Sequence, residues 1–262
     1  MRRVNFTGST HVGRIVGELA ARHLKPAVLE LGGKAPFLVL DDADLDAAVA
    51  AAAFGAFFNQ GQICMSTERL IVDAKVADAF VEKLAKKAAS LRVGDPASPE
   101  SVLGSLIDAG AARRIQGLVD DALAKGAKLL CGGHSDGSLM QATLLDGVTE
   151  DMRLYREESF GPVAVVLRAE GDEELLRLAN DSEFGLSAAI FSRDVSRALA
   201  LAQRIESGIC HINGPTVQDE PQMPFGGVKS SGYGSFGARA SVEHFTQLRW
   251  VTLQNGPRHY PI

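Results

Sequence analysis

Apolar residues recur along the chain at two spacings, and segments with the two spacings alternate. In the first segment they stand three and four residues apart, as on one face of an α-helix: Val12, Ile15, Val16, Leu19 and Ala20. Short continuous apolar runs follow at residues 27–31, 37–40 and 69–73, and such runs are typical of buried strands. Helices are predicted between them, from an acidic cap at residues 41–44 to about Phe58, and over residues 76–91.

The second half of the chain continues the alternation. It predicts helices at residues 111–124, 172–180 and 196–206, and strands at residues 128–131, 163–168, 187–191 and 208–213. Strands and helices that alternate at this spacing indicate βαβ units, so we expect an α/β fold with a mainly parallel sheet covered on both faces. Residues 224–237 are glycine-rich and predict an irregular loop. Residues 248–253 are rich in β-forming residues and predict a last strand.

Composition narrows the class of protein. The 262 residues are 46% hydrophobic, enough for a sizeable core, and the net charge of −5 argues against a nucleic-acid partner. No apolar run approaches the ~20 residues of a membrane helix, and the N-terminus lacks the apolar segment of a signal peptide. The three cysteines and six histidines lack disulfide or metal-ligand spacing, so we expect a cytoplasmic protein without a metal site.

Cys64 is the first residue that could carry chemistry. It follows a glycine-containing turn at the end of an apolar helix and precedes a strand. If Cys64 opened a short helix, the helix N-terminus would lower its pKa and favour the nucleophilic thiolate. The alternative is a buried, inert cysteine, which is the usual fate of a free thiol.

Glu30 is the second candidate. This single glutamate lies inside an apolar strand directly before Gly32 and Gly33. The carboxyl end of a strand is where α/β proteins place ligands, and a partly buried carboxylate there would have the raised pKa of a general base. Glu30 could also simply reach solvent at the strand end.

Three further segments have features of binding sites. The turn at Gly8 and Ser9 joins a strand to a helix N-terminus and could bind a phosphate, or could be an ordinary capped turn. Glu158 and Phe160 lie in an acidic segment before a Gly-Pro turn that could bind a ribose diol or be a solvated loop. Phe225 begins a glycine-rich segment that could line a pocket or be a surface loop.

Taken together and in order, these motifs resemble the aldehyde dehydrogenase superfamily over all 262 residues. The glutamate and cysteine motifs are the runs Leu-Glu-Leu-Gly-Gly-Lys at residues 29–34 and Asn-Gln-Gly-Gln-Ile-Cys at residues 59–64. The sequences at residues 63–66 and 213–225 resemble those of the salicylaldehyde, benzaldehyde and vanillin dehydrogenase branch. The resemblance implies oxidation of an aromatic aldehyde to the acid, with NAD or NADP as cofactor.

The resemblance also implies a role for each motif. Cys64 would be the nucleophile that forms a thiohemiacetal and then a thioester, and Glu30 would be the general base. The implied cofactor-binding residues are Gly8, Ser9, Leu31, Gly32, Glu158 and Phe160. The implied substrate pocket consists of Phe58, Ile63, Met65 and Phe225.

Three regions are expected from the resemblance. They are a remnant of the NAD(P)-binding domain (residues 1–33), a catalytic domain (34–234) and a C-terminal return with an oligomerisation strand (235–262). Family members carry a further N-terminal half, so this chain is expected to be truncated, with impaired turnover when it is alone. The full-length family implies a dimer or tetramer. Two other classes stay open, namely a cofactor-independent thiol esterase and a non-catalytic remnant or partner of a separate N-terminal half.

Overall fold

The computed structural model describes residues 1–262. Its strands are β1 (Val4–Thr7), β2 (Ala27–Glu30), β3 (Ala35–Val39), β4 (Thr67–Asp73), β5 (Lys128–Cys131), β6 (Ser135–Asp136), β7 (Leu139–Met140), β8 (Thr143–Asp146), β9 (Val163–Ala169), β10 (Phe184–Gly185), β11 (Ser187–Phe191), β12 (Ile209–Ile212), β13 (Val228–Lys229) and β14 (Gly232–Tyr233). Its α-helices are α1 (Thr10–Arg22), α2 (Leu45–Phe57), α3 (Ala74–Ala89), α4 (Ala109–Ala124), α5 (Arg153–Arg156), α6 (Gly171–Asn180), α7 (Val195–Ala202) and α8 (Ala238–Phe245).

A seven-stranded sheet forms the centre of the molecule, in the order β12-β11-β3-β4-β9-β8-β5. All neighbours in it are parallel except β5 and β8. Its central strands are buried on both faces because an apolar cluster covers each one. Ile71 and Ile115 belong to the cluster under α4, α6 and α7, and Phe37 and Phe80 to the cluster under α2 and α3. The predicted α/β fold with a mainly parallel sheet is confirmed.

A second, three-stranded sheet combines residues from both ends of the chain, in the order β1-β2-β14. β1 runs parallel to β2 and pairs Thr7 with Glu30, whereas β14 runs antiparallel and pairs Gly232 with Glu30. Gly232 has a φ of +112°, and a Cβ there would stand 1.9 Å from the carbonyl oxygen of Leu29, so only glycine fits. Glu30 is therefore the last residue of a central strand with a neighbour on each side.

The apolar face predicted for α1 is not buried. Ile15 and Leu19 are 47% and 50% exposed. The helix instead approaches β2 through its small residues, since a Cβ on Gly13 would collide with Leu31 and one on Gly17 would touch Leu29. Small residues allow this close approach, which turns the larger side chains outward.

Two boundaries in the second half also differ from the predictions. α7 ends at Ala202 and not near residue 206, because the Asn180 side chain takes over the hydrogen bonds of the next residues. It donates to the carbonyl of Arg204 and accepts from the backbone N–H of Glu206, both at 2.9 Å. Within residues 224–237, expected to be irregular, the short strands β13 and β14 form.

The strand predicted at residues 248–253 is not formed within the single chain. These residues form no helix or strand, because no neighbouring strand offers them hydrogen-bond partners. Leu248, Trp250 and Leu253 are each at least 85% exposed. Helix α8, which the sequence analysis did not predict, lies just before them and has no buried residue. No helix of the chain has the length and apolar character needed to cross a membrane.

Candidate active site

The segment after β2 lies directly against the cysteine turn. A Cβ added to Gly33 would stand 2.1 Å from the carbonyl oxygen of Cys64, and one added to Gly32 would stand 2.6 Å from a carboxylate oxygen of Glu158. Glycine at both positions therefore lets the backbone touch two other parts of the chain. The structure thus brings Glu30, Cys64 and Glu158 to one place, although they come from three separate segments.

Cys64 is held in a tight turn between α2 and β4. After α2 the chain passes through left-handed conformations at Asn59 and Gln60, with φ of 50° and 56°. The turn then closes with a hydrogen bond from the Ser66 N–H to the Ile63 carbonyl, 2.9 Å long. Cys64 does not open a helix, since the next regular element is the strand β4, so the lowering of its pKa by a helix N-terminus does not apply.

The pKa of the Cys64 thiol is raised to about 11. Burial is the largest cause, and the negative charges of Glu30 and Glu158 add to it. The backbone N–H groups of Cys64 and Met65 act in the opposite direction, because they stabilise a thiolate. The resting site therefore favours the neutral thiol, and a base is required to form the nucleophile.

Glu30 is only 2% exposed, and neither of its carboxylate oxygens has a hydrogen-bond partner. Burial raises its pKa to about 7. The backbone N–H of Gly227 opposes this rise but is not placed for a regular hydrogen bond. A buried carboxylate without partners is costly for stability, and such groups are found at functional sites.

Glu158 closes another side of the site. Its carboxylate accepts a hydrogen bond of 2.8 Å from the Gly33 N–H. Burial, followed by the charge of Glu68, raises the Glu158 pKa to about 7. Two residues further on, Phe160 is 41% exposed and has a φ of 48°, a strained conformation for an aromatic residue. Glu158 lines the site, and Phe160 presents its ring to solvent.

A buried ion pair that the sequence analysis did not identify holds this loop. The Lys34 ammonium lies 2.6 Å from the Glu68 carboxylate and 2.7 Å from the carbonyl of Glu157. Glu68 also accepts backbone hydrogen bonds from Ser159 at 2.9 Å and Phe160 at 3.1 Å. The sequence did contain a signal for this pair. Glu68 lies inside the apolar run of β4, and a charge buried there needs a partner of opposite charge.

Arg69, the next residue, is also buried and donates mainly to backbone carbonyls. Its guanidinium bonds Leu178 at 2.8 Å and Ala179 at 2.9 Å near the C-terminus of α6, and Lys34 at 3.2 Å. A cation suits this helix end because the last carbonyls of a helix lack partners. Arg69 therefore ties α6 to the segment that carries Lys34.

The turn at Gly8 and Ser9 lies beside the same strand end. The Gly8 N–H donates to the carbonyl of Glu30 at 3.0 Å. The Ser9 hydroxyl caps α1 by accepting from the Val12 N–H at 3.3 Å. Both residues are exposed, and the first turn of α1 contains no acidic residue. Ser9 thus caps the helix, and the exposed helix N-terminus is a surface suited to an anion.

The four residues expected to line the substrate pocket are not gathered in one cavity. Phe58 stacks on Phe54 with ring centroids 4.8 Å apart, and both line an apolar cavity of about 330 Å³ on the outer side of α2. Met65 is buried in the cysteine turn, whereas Ile63 is half-buried there. Phe225 is half-buried and hydrogen-bonds through its backbone to Phe236.

Comparison with known proteins gives a consistent result. A sequence model of the aldehyde dehydrogenase family matches residues 1–251. A vanillin dehydrogenase of Pseudomonas sp. (strain HR199 / DSM 7063) is 84% identical over 262 residues, which are 100% of this chain and 54% of that protein. The chain therefore spans about half the length of the curated relatives that it matches.

Two solved structures are similar to the whole or nearly the whole chain. A salicylaldehyde dehydrogenase from Pseudomonas putida G7, complexed with salicylaldehyde, has a TM-score of 0.97 and 53% identity, over 100% of this chain and 54% of that one. PnpE in complex with nicotinamide adenine dinucleotide has a TM-score of 0.91 and 37% identity, over 94% of this chain and 52% of that one.

Proposed function

The chain belongs to the aldehyde dehydrogenase family, and we propose that its Cys64 and Glu30 carry out the oxidation of an aromatic aldehyde to a carboxylic acid. One observation carries this proposal. Glu30 is a buried carboxylate with no hydrogen-bond partner and a pKa of about 7, and its charge acts on the Cys64 thiol. A thiol and a base held in this way match what nucleophilic catalysis requires.

In the first step the Cys64 sulfur attacks the aldehyde carbonyl carbon. The thiol proton moves to Glu30, directly or through water, a C–S bond forms, and the electron pair of the C=O π bond moves to the oxygen, which becomes the oxyanion of a thiohemiacetal. This transfer also neutralises the carboxylate charge that raises the thiol pKa. The backbone N–H groups of Cys64 and Met65 lower the pKa of the thiol, so their dipoles stabilise the thiolate as it forms.

In the second half of the reaction Glu30 acts on water. Once the thiohemiacetal has lost hydride, Cys64 carries the acyl group as a thioester. After its first proton has left to solvent, ionised Glu30 takes a proton from water and the water oxygen bonds to the acyl carbon. The C–S bond then breaks to release the acid, and the sulfur takes the proton back from Glu30 to return as the thiol. Because the pKa of Glu30 is about 7, this step should accelerate as the pH rises through that value.

A nicotinamide dinucleotide fits the residues around this pair. Bound there, it supplies the acceptor for the hydride. The residues that would hold it are Gly8, Ser9, Leu31, Gly32, Glu158 and Phe160. Gly32 lets the Glu158 carboxylate lie directly against the backbone, and the α1 N-terminus offers N–H groups without a competing acid.

The aromatic character of the substrate is inferred from the relatives and from the apolar residues near the cysteine. The names vanillin dehydrogenase and salicylaldehyde dehydrogenase both denote hydroxylated benzaldehydes as substrates. Phe58, Ile63, Met65 and Phe225 are the side chains that we expect to contact the ring of the aldehyde.

The test is aldehyde oxidation by the purified 262-residue chain. Vanillin, salicylaldehyde and benzaldehyde are each supplied with NAD⁺ or NADP⁺, and reduced nicotinamide is measured by absorbance. We expect slow formation of reduced cofactor, since turnover by this chain alone is expected to be impaired. It should disappear in Cys64→Ala but persist in Cys131→Ala, which removes a cysteine outside the site. No reduction of either cofactor would overturn the proposal for this chain. Hydrolysis of a nitrophenyl ester without cofactor would then indicate a thiol esterase.

We also propose that copies of the chain associate. The support is the apolar surface that the chain leaves in water. It includes Ile15 and Leu19 on α1 and, in the C-terminal segment, Leu248, Trp250 and Leu253. Large apolar side chains such as these gain free energy when a second copy of the chain covers them.

A further inference from the structure

A buried threonine, Thr216, hydrogen-bonds to the main chain of Met65, the residue after Cys64. Thr216 is completely buried and lies in the segment between β12 and β13, 151 residues from Met65. Its hydroxyl donates to the Met65 carbonyl at 2.7 Å and lies 2.8 Å from the Thr67 hydroxyl. A hydroxyl has one proton to donate. Because the Thr216 hydroxyl donates its proton to the Met65 carbonyl, the Thr67 hydroxyl must donate to the Thr216 oxygen.

Thr216 itself is held firmly. Its carbonyl accepts a hydrogen bond of 2.7 Å from the Ser187 hydroxyl on β11. On the other side α2 packs against the pair of threonines, because a Cβ on Gly55 would stand 2.4 Å from the Thr67 hydroxyl and 3.3 Å from that of Thr216. The position of the Thr216 hydroxyl is therefore fixed by the central sheet and by α2.

The cysteine turn is consequently fixed on both sides. The Cys64 carbonyl lies against Gly33, and the Met65 carbonyl is bound by Thr216. Between these two carbonyls lies the Met65 N–H, which lowers the pKa of the Cys64 thiol. A rotation of this short stretch of backbone would turn that N–H away from the sulfur, and the two carbonyl contacts oppose the rotation.

We propose that Thr216 is a positioning residue, which acts through Met65 to keep the backbone N–H groups of the turn directed at the Cys64 sulfur. The inference rests on the proposed role of Cys64 as nucleophile and adds a residue that touches neither substrate nor cofactor. Preorganised backbone dipoles are effective because they need no reorganisation when charge develops on the sulfur. Without Thr216 the thiolate would lose part of this stabilisation, and its pKa would rise further.

The test compares two substitutions at Thr216 in the full 262-residue chain. Thr216→Val keeps the shape of the side chain but removes the hydroxyl, and Thr216→Ser keeps the hydroxyl. Iodoacetamide alkylation of Cys64 is followed by mass spectrometry of its peptide over a range of pH. In T216V we expect a higher apparent pKa and alkylation roughly tenfold slower at a fixed pH, as a shift of about one pKa unit implies. T216S should stay within about twofold of the parent chain.

The matched control is Thr143→Val. Thr143 is also completely buried, and its hydroxyl donates to the carbonyl of Gln141 at 2.9 Å. It lies on β8, which β9 separates from β4 in the central sheet. T143V should lose stability without moving the alkylation profile. If T216V does not fold, Ser187→Ala, which releases the Thr216 carbonyl, should move the profile in the same direction by less.

Two results would overturn the proposal. One is a folded T216V, or S187A in its place, whose alkylation profile coincides with that of the parent chain. The other is a T216S as impaired as T216V, which would assign the effect to packing. Alkylation needs neither aldehyde nor cofactor, so its outcome is separate from whether the parent chain reduces NAD(P)⁺.

Discussion

The Glu158 carboxylate accepts a hydrogen bond of 2.8 Å from the Gly33 N–H, and Gly33 lies directly against the Cys64 carbonyl. A carboxylate that enters the chain 125 residues after Gly33 therefore acts on the cysteine turn. Its negative charge contributes to the raised pKa of the Cys64 thiol. Any movement of Glu158 away from Gly33, or loss of its charge, should make the thiol more acidic.

The first prediction concerns the charge of Glu158. Above about pH 7 its carboxylate is ionised, and Glu158→Gln removes that charge while keeping an oxygen for the Gly33 N–H. The Cys64 pKa should fall by about half a unit, so that alkylation by iodoacetamide is roughly threefold faster at about pH 8. Glu157→Gln is the control, because Glu157 pairs with Arg153 on the surface. Equal alkylation rates in E158Q and the parent would contradict the prediction.

The second prediction separates the two roles of Glu30. Glu30→Gln should alkylate faster than the parent chain at about pH 9, because the charge that opposes thiolate formation is gone. The same variant should turn over aldehyde about 10²–10⁴-fold more slowly, since no base activates water. Intact-protein mass spectrometry after mixing with aldehyde and cofactor should show the acyl group retained on Cys64. Normal turnover in E30Q would exclude Glu30 as the base.

The third prediction concerns stability and pH. Because burial raises the Glu30 pKa from 4.5 to about 7, the folded chain holds this proton more tightly than the unfolded chain. The stabilisation that results is complete below 4.5 and is lost as the pH rises through about 7. E30Q cannot ionise, so its melting temperature relative to the parent should increase from about pH 5 to about pH 8.

The measurement is thermal unfolding followed by circular dichroism at both pH values, with Glu220→Gln as a control at an exposed carboxylate. A difference between E30Q and the parent that is independent of pH would show that Glu30 has an ordinary pKa in the folded chain. The buried position of Glu30 would then not account for its proposed role.

The fourth prediction tests the buried ion pair. Glu68→Gln leaves the Lys34 ammonium buried without a counterion, and removal of one partner of such a pair costs about 3–5 kcal/mol of unfolding free energy. Urea unfolding should show this loss. Glu100→Gln, at an exposed glutamate paired with Arg92 on the surface, should change stability by about 1 kcal/mol or less. Equal losses in the two variants would mean that Lys34 has another partner.

The sequence was sufficient for most of the fold because the signals involved are local. The apolar runs of β3, β4 and β9 are buried on both faces, so they remain recognisable without knowledge of their neighbours. Caps such as Asp44 and Asp108 act within three residues. These features depend only on residues that are close along the chain.

The details of the site depend on distant residues and could not be predicted in this way. The Lys34–Glu68 pair and the Thr216–Met65 hydrogen bond join residues 34 and 151 positions apart. The raised pKa of Cys64 has the opposite direction to the effect of a helix N-terminus, because burial raises it first and the charges of Glu30 and Glu158, from two other segments, add to it. The prediction that the apolar face of α1 is buried also failed. Burial requires a distant partner, and this face has none within the chain.

The last prediction concerns association of copies through the exposed apolar residues. Trp250 is the only tryptophan and is 91% exposed, so its fluorescence reports on the C-terminal segment alone. At low concentration its emission should be that of a tryptophan in water, with strong quenching by acrylamide. As concentration rises, emission should move to shorter wavelength and quenching should weaken, because a second copy covers the indole. Sedimentation velocity should show a larger species over the same range.

Two variants of α1 identify the surface involved. Leu19→Glu places a charge on the exposed apolar face, and Glu18→Gln changes the neighbouring position, whose side chain pairs with Arg22. L19E should keep the chain monomeric at concentrations where E18Q associates like the parent, since burial of an unpaired charge opposes the contact. If L19E associates normally while Trp250 becomes protected, the C-terminal segment alone forms the contact. A monomer with exposed Trp250 at every concentration would exclude association of this chain.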